Sequence, residues 1–170
     1  RITGDNPFTD AKNIDEMIMR HFERSADYTR TNHLPLGVTA EVMSRDMLPR
    51  LHDMMPNPNE TEYMSFFSFN PKFFRCEVLM PSALVDRPFY SLTVDYPEEL
   101  EAARILYNSL AHKGDIPALE DVVSIMDTDP RFKEVDPEFL TKKPNGEVIT
   151  YGALIDELDC LARQASTDSQ

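Results

Sequence analysis

With 170 residues the chain has room for one domain, and a chain of about this size buries ~68–70% of its unfolded surface. Its 30 acidic against 17 basic residues give a net charge of −13, which excludes a phosphate-backbone surface and argues against nucleic acid and anionic membrane as partners, since both are held by Lys and Arg. No apolar run approaches the ~20 residues that cross a bilayer, and Cys76 and Cys160 form no CxxC pattern, so a reducing, cytoplasmic setting without zinc is expected.

The chain opens on Arg1-Ile2-Thr3, a strand-like run that begins without Met and needs sheet neighbours on both sides, so it reads as an N-terminally incomplete piece. Asp10 or Asn13 can cap a helix whose Ile14, Met17, Ile18 and Phe22 recur at helical spacing. Residues 27–31 read as a short strand, and 39–43 as a second after the LPLG segment at 34–37. Ser44 is placed to cap a helix carrying Met47, Leu48 and Leu51, with Pro49 just beyond its first turn. A helix over 60–69 ends at Asn70-Pro71. Strands follow at 75–80 and 89–94, separated by a loop holding Pro81 and Pro88.

Pro97 then opens a helix with Glu98, Glu99 and Glu101 near its positive end and Leu100, Ala103, Leu106, Tyr107 and Leu110 as its apolar stripe. Another helix over 118–126 uses Leu119, Val122, Val123 and Met126, and a last one over 152–165 uses Leu154, Ile155, Leu158 and Leu161. Pro144-Asn145-Gly146 between them signals a hairpin tip leading into 147–150. The alternation predicts a three-layer α/β fold with a mostly parallel sheet and helices on both faces. Residues 1–110 carry the motifs, and 111–170 form a helical C-terminal extension of the same domain with a frayed tail from Ser166.

Two aspartates carry the chemistry. Asp5 and Asp95 each close a short β-type run just before a helix start, and ligands of α/β folds collect outside the carboxyl ends of strands. Magnesium takes oxygen ligands and keeps several waters, so one or two carboxylates and substrate phosphate oxygens complete its shell. Each residue also has a plainer reading: Asp95 as cap of the helix at Pro97, and Asp5 before Asn6-Pro7 as an Asx-turn residue.

The motifs RITGDNPFTD at 1–10 and LTVDYPEELEAARILY at 92–107 resemble the cytidylyltransferases of the spore-coat polysaccharide type, relatives of the enzymes that activate sialic acid and Kdo. The resemblance covers roughly residues 1–110. It implies a nucleotide-diphospho-sugar transferase-like, Rossmann-like fold and magnesium-dependent transfer of CMP from CTP, with pyrophosphate release, to a sugar, sugar acid or phosphorylated acceptor for surface polysaccharide synthesis. It also implies that Asp5 and Asp95 are the metal ligands and catalytic residues, and that Asn6, Asn32, Gly37, Glu41 and Glu62 contact substrate. The segment NHLPLGVTAEV at 32–42 resembles the loop and strand that face the acceptor, with Glu41 as a hydroxyl-binding carboxylate. The chain departs from the family at Glu62-Tyr63-Met64, where many relatives carry a His-containing motif.

With five glycines and no GxG or Walker pattern the sequence offers no phosphate cradle of its own, so this stretch alone is expected neither to bind CTP nor to be active. Arg30, Lys72, Arg75 and Arg87 are the basic residues nearest the expected site. The clustered aromatics Phe66, Phe69, Phe73 and Phe74 point to a homo-oligomer. Two alternatives stay open: a non-catalytic protein-interaction module, and another α/β enzyme with a two-aspartate metal site.

Overall fold

A computed structural model describes residues 1–59, 61, 64–110 and 117–167. Helix α1 (Ala11–Glu23) is capped by Asp10, whose carboxylate accepts from the Asn13 amide. Strand β1 (Tyr28–Thr31) follows, then β2 (Val42–Met43), α2 (Met47–Met54), α3 (Met64–Ser68) and β3 (Cys76–Leu79). Next come α4 (Pro97–Leu110), α5 (Leu119–Thr128), the hairpin strands β4 (Leu140–Lys142) and β5 (Val148–Thr150), and α6 (Tyr151–Thr167).

The central sheet is small and has the order β2-β1-β3, with β1 parallel to β3 along its whole length and antiparallel to β2 over a shorter ladder. Because side chains alternate along a strand, β1 serves two layers. Thr29 and Thr31 face α1, where they meet His21 and Asn13, while Tyr28 stacks on Phe69 on the other face. Helix α6 packs against β3, which completes the helix–sheet–helix sandwich.

Several sequence expectations shift. Arg1-Ile2-Thr3 forms no ladder; Arg1 meets Glu41 instead, its nitrogen 2.5 Å from the Glu41 carbonyl and its own carbonyl accepting from the Glu41 amide at 3.1 Å. The run 89–94 makes a single parallel bridge, Leu36 with Ser91, because Pro35 has no amide to donate and the chain turns at Gly37 with φ +89°. Ser44 does not cap α2: its hydroxyl is buried without a partner, and Asp46 takes the cap position with no side-chain bond. Pro49 falls in the first turn of α2, where its missing amide leaves no helical bond unmade.

Two apolar clusters result. One joins Leu34, Val38, Tyr90 and Leu92 to α4 and α5 through Leu106, Leu110, Val122 and Val123. The other gathers Tyr28, Met47, Leu51, Phe69 and Phe74 under α6. Phe69 and Phe74 are therefore core, whereas Phe66 and Phe73 stay exposed, which halves the aromatic case for self-association. The final residues of the predicted frayed tail, 168–170, lie outside the described residues, while 166 and 167 continue α6.

Candidate active site

The two motifs that carry Asp5 and Asp95 are joined by the backbone. The Val94 amide donates to the Asp5 carbonyl at 2.9 Å, which sets the TGD turn beside the residue preceding Asp95. Both aspartates are exposed, and among the described residues neither enters an ion pair. Among the described residues the Asp95 carboxylate accepts only from the Thr93 hydroxyl, at 3.4 Å. It does not cap α4. That work falls to Glu99, which accepts from the Asp95 and Tyr96 amides at 2.7 and 3.0 Å, the reciprocal arm of a capping box.

Gly37 locks this junction. A Cβ there would lie 2.8 Å from the Thr93 nitrogen and 2.9 Å from Asn6 Oδ1, and φ +89° belongs to the left-handed region that glycine occupies without steric cost. Asn6 is held in turn by the Thr3 hydroxyl, to which its Nδ2 donates at 2.7 Å.

A cleft of about 580 Å³ opens beside the junction, with Asn6, Gly37 and Glu41 in its wall. Glu41 is not a free hydroxyl acceptor. Its carboxylate takes the Tyr28 hydroxyl at 2.6 Å, the Arg1 guanidinium at 2.7 Å and the Ser65 hydroxyl at 3.1 Å, so it braces three segments of the wall. Burial pushes the Tyr28 hydroxyl far above its ordinary pKa, which keeps it a donor to Glu41. Asn32 lies elsewhere: only 2% exposed, it donates toward the Leu158 carbonyl and Asp159 of α6 at 3.4 Å and ties that helix to the end of β1. Glu62 lies outside the described residues.

Of the four basic candidates, Arg30 alone reaches the cleft wall. Arg87 is held by both oxygens of Asp127, at 3.0 and 2.8 Å, and Arg75 binds the Ser25 carbonyl at 3.3 Å. Lys143, Asn145 and Glu157, which the sequence does not single out, also line the cleft. The Lys-Lys-Pro-Asn-Gly string at 142–146 signals a turn, and nothing around Glu157 marks it as a wall residue.

Among the described residues no group of three or more His, Cys, Asp or Glu side chains could hold a metal ion. Asp5 and Asp95, exposed on adjoined segments, are oxygen donors of the kind magnesium takes alongside water and phosphate oxygens. No helix among the described residues is long and apolar enough to cross a membrane.

The spore coat polysaccharide biosynthesis protein SpsF of Bacillus subtilis (strain 168) is 30% identical over 132 residues, 76% of this chain and 55% of that protein. The chain is thus similar in sequence to a protein of spore coat polysaccharide biosynthesis. An uncharacterized protein of Methanocaldococcus jannaschii, MJ1063, is 26% identical over 139 residues, 80% of this chain and 56% of that protein. The chain thus spans about half the length of the relatives it matches. The structure of a cytidylyltransferase from Leptospira borgpetersenii serovar Hardjo-bovis (strain JB197) superposes with a TM-score of 0.66 at 20% identity, over 76% of this chain and 56% of that one. That likeness establishes the nucleotide-diphospho-sugar transferase-like fold. No protein-family model matches the chain.

Proposed function

We propose that the full-length protein transfers CMP from CTP to a sugar, sugar acid or phosphorylated acceptor, releasing pyrophosphate, in the synthesis of a surface polysaccharide. The observation that supports this reading is the backbone bond of Val94 to Asp5, which joins the segments carrying two exposed carboxylates, beside a cleft whose wall includes Asn6 and Gly37 of the same junction. Asp5 and Asp95 would hold magnesium, which when bound neutralises charge on the transferring phosphate. Gly37 and Asn6 keep the two segments in register, so the carboxylates are set before substrate arrives. The cleft wall takes the acceptor, with Glu41 holding the wall in shape. No protein nucleophile is required, since phosphoryl-type transfer runs on positioning and electrostatics. We place the protein in the cytoplasm, where CTP is made available, and read it as a homo-oligomer.

The test is pyrophosphate release by the full-length protein with magnesium and each of the four nucleoside triphosphates in turn. CTP should be strongly preferred. Asp5→Asn and Asp95→Asn each remove a ligand charge; metal stabilisation is worth several kcal/mol and about 1.4 kcal/mol is tenfold, so turnover should fall roughly 10²-fold or more. The melting temperature should hardly move, because neither carboxylate has a partner to lose beyond the long Thr93 contact. Full activity in both variants would end the two-aspartate reading.

A further inference from the structure

The charges on the cleft wall do not balance. Among the described residues three cations line it, Arg1, Arg30 and Lys143, against two carboxylates, Glu41 and Glu157. Arg1 is 2.7 Å from Glu41 and Lys143 is 2.6 Å from Glu157, so both carboxylates are matched. Arg30 is left over, and its Nε is buried with no hydrogen-bond partner. What holds it is aromatic: the guanidinium lies 5.3 Å from the centre of the Phe69 ring, and Phe69 is itself buried and stacked on Tyr28 at 5.7 Å.

A buried N–H without an acceptor costs free energy, and native structures leave few such groups without a reason. Here a rigid platform fixes the plane of a fork whose donors match two oxygens of one anion. In a chain of net charge −13, an unmatched cation in a cleft sets the sign of what that cleft accepts. We infer that Arg30 is a specificity-determining residue that binds an anionic group, carboxylate or phosphate monoester, on the acceptor sugar. This rests on the cleft being the acceptor site proposed above.

The chain itself, without CTP or metal, serves as the test material, so the outcome is separate from that of the CMP-transfer assay. Thermal melts are recorded with glucuronate, glucose 1-phosphate and uncharged glucose at matched ionic strength. At least one charged sugar should raise the melting temperature while glucose does not, and the larger of the two shifts tells carboxylate from phosphate. Arg30→Met keeps the stem over Phe69 and removes the unsatisfied donor, so it should melt at or above the parent and lose the anion-dependent shift. Arg30→Lys keeps the charge without the fork and should bind about tenfold more weakly. Nitrogen-15 NMR of the parent reads the site directly, since the Arg30 Nε resonance should move on addition of the charged sugar. No shift with either anion, an equal shift in Arg30→Met, or a thermal shift that leaves the Arg30 resonance still would each overturn the inference. Inorganic pyrophosphate that moves this resonance while both charged sugars do not would assign Arg30 to the nucleotide and overturn it as well.

Discussion

His21 shows how one buried residue can make the protein sensitive to pH. It is 5% exposed, its Nδ1 is 2.9 Å from the Thr29 hydroxyl, and the Phe22 ring stands edge-on at 5.8 Å. Burial lowers its pKa from the ordinary 6.5, against a smaller upward pull from Asp27. The folded state therefore holds the neutral ring, and the unfolded state binds the extra proton as pH falls through 6.5. Stability from this site is complete above that pH and is lost as pH falls toward the folded value. Melting temperatures at constant ionic strength should drop between about pH 7.5 and pH 5.5. His21→Gln keeps a polar partner for Thr29 and should flatten that slope; a variant with the parent's slope would remove His21 as the cause.

At the scale of elements, α4 is fastened at its start by Glu99, and this bears on the site. Glu99→Ala leaves the Asp95 and Tyr96 amides without their acceptor, and loss of a helix cap costs ~0.5–2 kcal/mol. For a chain of this size that is a drop of roughly 2–4 °C per kcal/mol. Since the freed segment carries Asp95, turnover of the full-length protein should fall too, with Glu99→Gln in between. A melting temperature and turnover both unchanged in Glu99→Ala would show that the cap holds nothing.

The same elements show what periodicity can reveal. In α5 the predicted Leu119, Val122, Val123 and Met126 are all buried, and the hairpin turns at Gly146 with φ +86° as its sequence demands. In α1 the predicted apolar face is rotated: Asn13, Met17 and His21 point inward and Phe22 is 76% exposed. The reason lies in β1, whose Thr29 and Thr31 hydroxyls need polar partners, and a count of apolar residues along α1 does not register them. Asn6, Gly37 and the two aspartates were legible because they fall within short motifs. Arg30 was one of four basic candidates, but its company with Lys143 and Glu157 was not legible, since it forms only when the C-terminal segment folds back and α6 docks on β3.

For the molecule as a whole, exposed apolar residues are not confined to the expected aromatic segment. Phe66 and Phe73 are exposed, and a second group of exposed apolar side chains lies where α1 meets β3, with Met19 and Met80 beside a groove that Glu16, Arg20 and Glu23 also line and Phe22 one helical turn from Met19. Apolar patches of this kind mark association surfaces, while a net charge of −13 opposes bringing two copies together. The balance depends on salt, because the screening length falls from ~30 Å at 0.01 M to ~8 Å at 0.15 M. Proposed self-association through this face should therefore strengthen as sodium chloride rises over that range, as read by sedimentation velocity. Phe22→Glu adds charge at the patch without touching the core and should hold the chain monomeric at both salt concentrations. A chain that stays monomeric throughout would remove the homo-oligomer reading, and one that associates equally well with Phe22→Glu would move the contact away from α1.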